Sequence, residues 1–271
     1  MTATSTGRRA TPPSSAAGAG SQRPATRQWL PRQHGAWAML AVPFLLGVAA
    51  STPVPWQFVL AAASVLGYLA SATGQAWLRA RRRAPFTLPL AVYGAGFGVL
   101  GVALLLAFPP LLATVVVLGP TAALVVAGAK PGTRRDLVNS LAQAAQAVVL
   151  VPSAAWVSGA FNATSVAVAT GVAAVYLLGT VLVVRSVLRE RDSTAFATLS
   201  TGFHALLVAP ALVLGPVWAV LALALTVRAA ALPLAARRRA GTPRPLRPVH
   251  VGAVEAVVAV AVVVVAFAAL P

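Results

Sequence analysis

Three ionisable side chains, His204, Arg228 and Glu255, stand inside long apolar stretches of this chain. Hydrocarbon solvates charge poorly, so each needs a partner or must stay neutral, and each is a functional candidate for that reason. Glu255 is the one carboxylate inside such a stretch. Arg228 matches it in depth and sign; its other option is to snorkel to the membrane surface. His204 lies about ten residues into its stretch, roughly 15 Å deep at about 1.5 Å per residue. It is either a neutral core imidazole held by backbone or hydroxyl, or a proton-relay group. The chain has no Cys, which excludes disulfide and thiolate chemistry.

A second set of polar residues lies near the edges of the stretches. Gln75 and Arg79 are four apart and share a helical face; Asn139, Gln143 and Gln146, spaced four and then three, share another. These faces serve either hydrogen bonding between helices or ligand contact. The run Pro31-Arg32-Gln33-His34-Gly35-Ala36-Trp37-Ala38-Met39-Leu40 gathers polar donors at a membrane edge. Anchoring accounts for Arg32 and Trp37 but poorly for Gln33 and His34. Lys130 stands in a basic gap with Arg134 and Arg135. Glu190 and Asp192 are the weak metal candidates: two residues apart, they diverge by about 200° on a helix. Arg189 and Arg191 are expected to compete for them as ion pairs. No metal site is therefore expected, and no cofactor is evident.

The elements that must carry these residues span a membrane. The chain of 271 residues is 59% hydrophobic and only 9% charged, with a mean hydropathy of +0.84. A soluble domain of this size needs far more charged surface. About 20 apolar residues make a spanning helix, and nine stretches qualify: 35–51, 57–78, 86–108, 111–129, 137–159, 165–188, 194–214, 217–236 and 249–270. Every Lys and Arg except Arg228 lies in the first tail or in alternate gaps, around Arg79–Arg83, Lys130–Arg135, Arg185–Arg191 and Arg237–Arg247. The intervening gaps hold no cation. Because positive loops stay in the cytoplasm, the expected fold is an all-α polytopic bundle with the N-terminus in and the C-terminus out. Residues 1–30, rich in Arg, Pro, Ser and Gly and without an apolar signal segment, are expected to form a disordered basic cytoplasmic tail; 31–271 form a single transmembrane domain.

The net charge of +17 does not imply nucleic acid, since the cations sit in short gaps that face anionic lipid headgroups. Most intramembrane polar residues fall in the half nearest the basic gaps. This asymmetry suits a cavity open to the cytoplasm and roofed by hydrocarbon. Its occupant would be a lipid-like molecule with an anionic head, a quinone or a prenyl phosphate. A transport pathway would instead show polar groups at several depths.

The Arg32–Leu40 run, with Pro43 and Gly47 following, resembles the opening signature of the YwiC-like membrane proteins, and the span pattern extends the resemblance along the chain. It implies a multi-pass protein of the bacterial inner membrane and assigns no reaction. A more distant resemblance is to the UbiA-type intramembrane prenyltransferases, which implies nine spans, a cytoplasmic N-terminus and a cytoplasm-facing site. Lys130, Arg134, Arg135 and Asn139 stand where that family has a Lys-Arg pair followed by Thr and Asn. Arg32, Gly35 and Pro43 sit comparably in the first span. The departure concerns chemistry. The family's Asp-rich motifs, which hold Mg²⁺ on a diphosphate, are replaced by Gly74-Gln75-Ala76-Trp77-Leu78-Arg79 and by Arg185-Ser186-Val187-Leu188-Arg189-Glu190-Arg191-Asp192. Metal-dependent prenyl transfer is therefore not expected, although the Arg cluster keeps the chemistry to bind phosphate directly. Two other functions compete with ligand binding: a secondary transporter coupled through His204, Arg228 and Glu255, and an accessory subunit of a membrane enzyme.

Overall fold

In hydrocarbon every backbone N–H and C=O must be bonded within its own segment, so apolar stretches of this length become helices. The computed structural model describes residues 29, 34–80, 83–129, 136–242 and 246–271. They form α1 (His34–Ala49), α2 (Trp56–Arg79), α3 (Ala84–Ala107), a 3-10 turn (Pro109–Leu111), α4 (Leu112–Gly128), α5 (Asp136–Val148) and α6 (Leu150–Ser158). Then follow α7 (Ala163–Leu188), α8 (Thr194–Leu206), α9 (Val208–Leu214), α10 (Pro216–Arg238) and α11 (Pro248–Ala269). Among the described residues, 8 helical segments are long and apolar enough to cross a membrane, and α1 adds a shorter apolar helix. The protein is a multi-pass helical bundle.

The fifth and seventh expected spans each run on as one segment, Leu137–Ser158 and Thr194–Leu214, with a one-residue interruption of the helical ladder at Val149 and at Leu207, where the backbone stays right-handed helical. Pro152 and Pro210 each stand three residues past the interruption and lack the N–H that would continue the ladder. The ladder resumes with Ser153 N–H donating to Val149 O and Ala211 N–H to Leu207 O, both at 3.1 Å.

Caps set the ends of the central helices. The Asn162 side chain accepts from the N–H groups of Thr164 (2.8 Å) and Ser165 (3.2 Å) and starts α7. Ser193 accepts from Phe196 N–H at 3.1 Å and starts α8. Gly159, at φ 70°, ends α6 in a left-handed turn. At the cation-free end, the links after α1 and α6 are tied together. Thr52 N–H donates to Ala160 O (2.9 Å), and the Gln57 amide donates to Ser51 Oγ and Ala154 O, both at 3.1 Å. At the basic end, Arg237 donates to Arg191 O (2.9 Å) and Ser193 O (2.8 Å), fastening α10 to the α7–α8 link.

Helix α7 is central and packs against α1, α5, α6, α8, α10 and α11. The core joins Val42 and Leu46 of α1 to Val151, Leu177, Trp218 and Val262. α3 and α4 lie at the periphery and expose Leu88, Val99, Leu106 and Val116, as lipid-facing surfaces do.

Of the glycines of α3, a Cβ at Gly94, Gly98 or Gly101 would meet nothing within 4 Å. The 3.6-residue repeat turns that face outward. The α2–α3 contact runs instead through Gly96 on Leu66 and Gly67 on Phe97.

Candidate functional site

Four helices each deliver a polar side chain to one point in the bundle. Arg228 of α10 donates through Nη1 to Glu255 Oε2 of α11 at 2.9 Å. The same carboxylate oxygen accepts from Thr180 Oγ1 of α7 at 3.2 Å. On its other arm, Arg228 Nη2 lies 3.2 Å from His204 Nε2 of α8, and His204 Nδ1 lies 2.7 Å from Ser200 O, one turn back on the same helix. A guanidinium can only donate and a carbonyl can only accept. The imidazole is therefore neutral, with its proton on Nδ1 and its lone pair turned to Arg228. Tyr176 stands one turn before Thr180 on α7 and lines a cavity beside His204 and Arg228.

The network is closed to water: His204 is 2% exposed, Arg228 7% and Glu255 9%. Burying an ion pair costs several kcal/mol per ion, offset only where the pair is close and its remaining atoms are satisfied. Here they are not all satisfied. Arg228 Nε, Glu255 Oε1 and Ser200 Oγ are buried without a partner, and each such group costs about 1–3 kcal/mol.

Gly179 makes room for the imidazole. A Cβ there would stand 2.6 Å from His204 Nε2. Gly179→Ala is therefore expected to push the ring off Arg228 and to cost about 1–3 kcal/mol, read as a lower thermal midpoint in mild detergent. Because the obstruction is the ring itself, Gly179→Ala should cost almost nothing in a His204→Ala background. Equal costs in both backgrounds would refute the contact.

A cavity of about 270 Å³ leads away from the network toward the cation-free end, between α7, α9 and α10. Tyr176, His204 and Arg228 form its inner end, and its walls are hydrocarbon, among them Val172, Trp218 and Leu225. Gly171, Pro210 and Leu214 are exposed at its rim, so it opens sideways between α7 and α9. This is the half of the bundle away from the Arg-bearing links. On the basic side of Glu255 the bundle is closed by Val187, Ala236 and Val251, with Leu232 and Leu246 packed on them.

The other sequence candidates lie elsewhere. Arg79 Nε reaches Ala129 O at 3.4 Å, and a Cβ at Gly128 would meet the Asn139 side chain at 3.5 Å, so both residues lie at the end of α4. Gln75 and Gln143 are half-buried on α2 and α5, and Arg189 is exposed at the end of α7. Arg32, Gln33 and Lys130, and the side chain of His34, fall outside the described residues. Glu190 pairs with Arg185 at 3.0 Å. The chain turns after Leu188 and brings Glu190 back over the last turn of α7. Asp192 is exposed. No group of three or more His, Cys, Asp or Glu that could hold a metal ion occurs among the described residues. Sequence reasoning missed Thr180, Tyr176, Ser200 and Gln57. The available signals were the four-residue spacings Tyr176–Thr180 and Ser200–His204, which put each pair on one helical face.

The YwiC-like protein family model matches residues 30–155, which carry α1 to α5 and the first part of α6. No solved structure matches the chain. Over 204 residues it is 33% identical to "Uncharacterized protein YwiC" of Bacillus subtilis (strain 168), covering 71% of this chain and 81% of that protein. With the opening signature in α1 and this identity over most of both chains, the protein belongs to the YwiC-like family.

Proposed function

We propose that this protein binds a lipid-like molecule from within the bilayer, in the cavity between α7, α9 and α10. The observation that carries the reading is the cavity's construction: hydrocarbon walls, a rim open to the lipid-facing surface, and a polar inner end made by Tyr176, His204 and Arg228. An acyl or isoprenoid chain gains roughly 25 cal/mol for each Å² of surface it buries from water. From lipid it gains close packing instead. The alternation of basic gaps supports placement in the bacterial inner membrane with the Arg-bearing links in the cytoplasm. In that orientation the cavity opens toward the outer leaflet. The distant likeness to UbiA-type prenyltransferases is compatible with an isoprenoid occupant, while the missing Asp-rich motifs point to binding without metal-dependent transfer.

A secondary-transport reading has the mid-depth ionisable network in its favour. Against it stands the hydrophobic cluster of Val187, Ala236 and Val251 on the basic side of Glu255.

Gly171→Trp tests the lipid reading. Gly171 lines the cavity, and a Cβ there would meet nothing within 4 Å, so the indole can fill the opening without straining the helices. Native mass spectrometry of the wild-type protein should show a co-purifying lipid that is lost in Gly171→Trp at unchanged thermal stability. Equal lipid retention in both proteins would sink the proposal.

A further inference from the structure

We infer that the cavity takes its lipid tail-first: one chain end runs in from the outer-leaflet side, its methyl stops against Tyr176 and Arg228, and the head stays outside the rim. This deepens the lipid-binding reading and rests on it. The space runs along the helix axes. One face of α10 lines it with Trp218, Leu221, Ala222, Leu225 and Arg228. From Trp218 to Arg228 the rise is about 15 Å, at about 1.5 Å per residue. The walls on α7 and on α8–α9 run the same way, inward from Val168 to Tyr176 and from Leu214 to His204. About 15 Å is half of a hydrocarbon core of about 30 Å, so the space has the length and the direction of one leaflet's chains.

The inner end stops a chain but does not receive a head. Arg228 Nη1 and Nη2 are committed to Glu255 and His204, and His204 Nδ1 to Ser200 O. Arg228 Nε has no partner, but it is itself buried out of reach, and Tyr176 is 5% exposed. Farther out, Trp218 Nε1 donates to Ala269 O at 3.1 Å. A head drawn inward would give up water and headgroup partners and find none of these nitrogens open to it. Capacity agrees. A dry cavity of about 150 Å³ holds benzene, so about 270 Å³ holds roughly eleven carbons in proportion. That is part of one acyl or isoprenoid chain, not a whole lipid. The ligand class is therefore set by a slender hydrocarbon end, and the charge of the head does not enter.

The test is photolabelling of the full-length protein in nanodiscs with two phosphatidylcholine probes. One carries a diazirine at the methyl end of an acyl chain, the other beside the glycerol, and tandem mass spectrometry reads the labelled residues. The methyl-end probe should label Tyr176 and Leu225, and the glycerol-side probe Leu214 at the rim. Phosphatidylglycerol probes of the same design should give the same pattern at the same yield. V175F, which adds a ring to the wall beside Tyr176, should move the methyl-end label outward to Leu221 and Trp218. G171W should abolish the methyl-end label. The reverse order of labels, a yield that follows the charge of the head, or a methyl-end label that V175F does not move overturns the inference while leaving a lipid site standing. Labelling of Tyr176 and Leu225 that G171W does not reduce, or no labelling of any lining residue, removes the lipid site itself.

Discussion

Arg228→Met alone should cost about 3–5 kcal/mol of stability, whereas Arg228→Met combined with Glu255→Met should cost close to nothing. The asymmetry follows from what each change leaves behind. In the single variant, the Glu255 carboxylate keeps only the Thr180 hydroxyl at 3.2 Å and must be protonated or drag in water. In the double variant both charges are gone, and two flexible thioether side chains of similar volume fill the space. His204 then loses its donor but keeps Ser200 O at 2.7 Å, and a neutral imidazole tolerates that. Unfolding in mixed micelles of a mild detergent and dodecyl sulfate would measure both variants. If the double variant is as unstable as the single one, the ion pair is not what the bundle depends on here, and the fault lies in packing around α10.

The meeting of Arg228 with Glu255 was legible in the sequence because Glu255 is the one carboxylate inside a span and Arg228 is the cation that matches it in depth. The rest of the network was not legible, since hydroxyls in spans usually serve their own helix. Thr170, Thr201 and Thr226 all donate to the carbonyl four residues back, at 2.7, 3.0 and 2.8 Å. Nothing in the local sequence distinguishes Thr180, which turns to Glu255 instead. The one-residue interruptions at Val149 and Leu207 were hidden for a similar reason. Pro43, Pro89, Pro120 and Pro233 lie within continuous helices, so a proline in a span does not by itself mark a break. The cavity between α7, α9 and α10 was not legible either, because its walls are hydrocarbon and polar composition does not report it.

Gly47→Ala should be the most damaging single-methyl addition in the bundle. A Cβ at Gly47 would lie 2.7 Å from Val151 O, 2.8 Å from Ala154 Cβ and 3.0 Å from Val151 Cα. Two of these three are backbone atoms of α6, so no side-chain rotation relieves the clash, and α1 must move away. Neighbouring residues of α1 carry the strain inward: Val42 and Leu46 pack in the same core as Leu177 and Val262, and Ser51 Oγ donates to Gly47 O at 2.7 Å. Overpacking of this kind costs about 1–3 kcal/mol, and more where the backbone cannot yield. Ala154→Gly in the same chain removes the one methyl among the three obstacles, so it should restore only part of the loss. Gly98→Ala, in open space on α3, is the matched control and should change stability by no more than about 0.5 kcal/mol in either direction. Thermal midpoints of the three variants in one detergent decide the matter. If Gly47→Ala tracks Gly98→Ala, then α1 and α6 do not approach to backbone contact, and the packing that holds α1 against α7 and α11 needs another source.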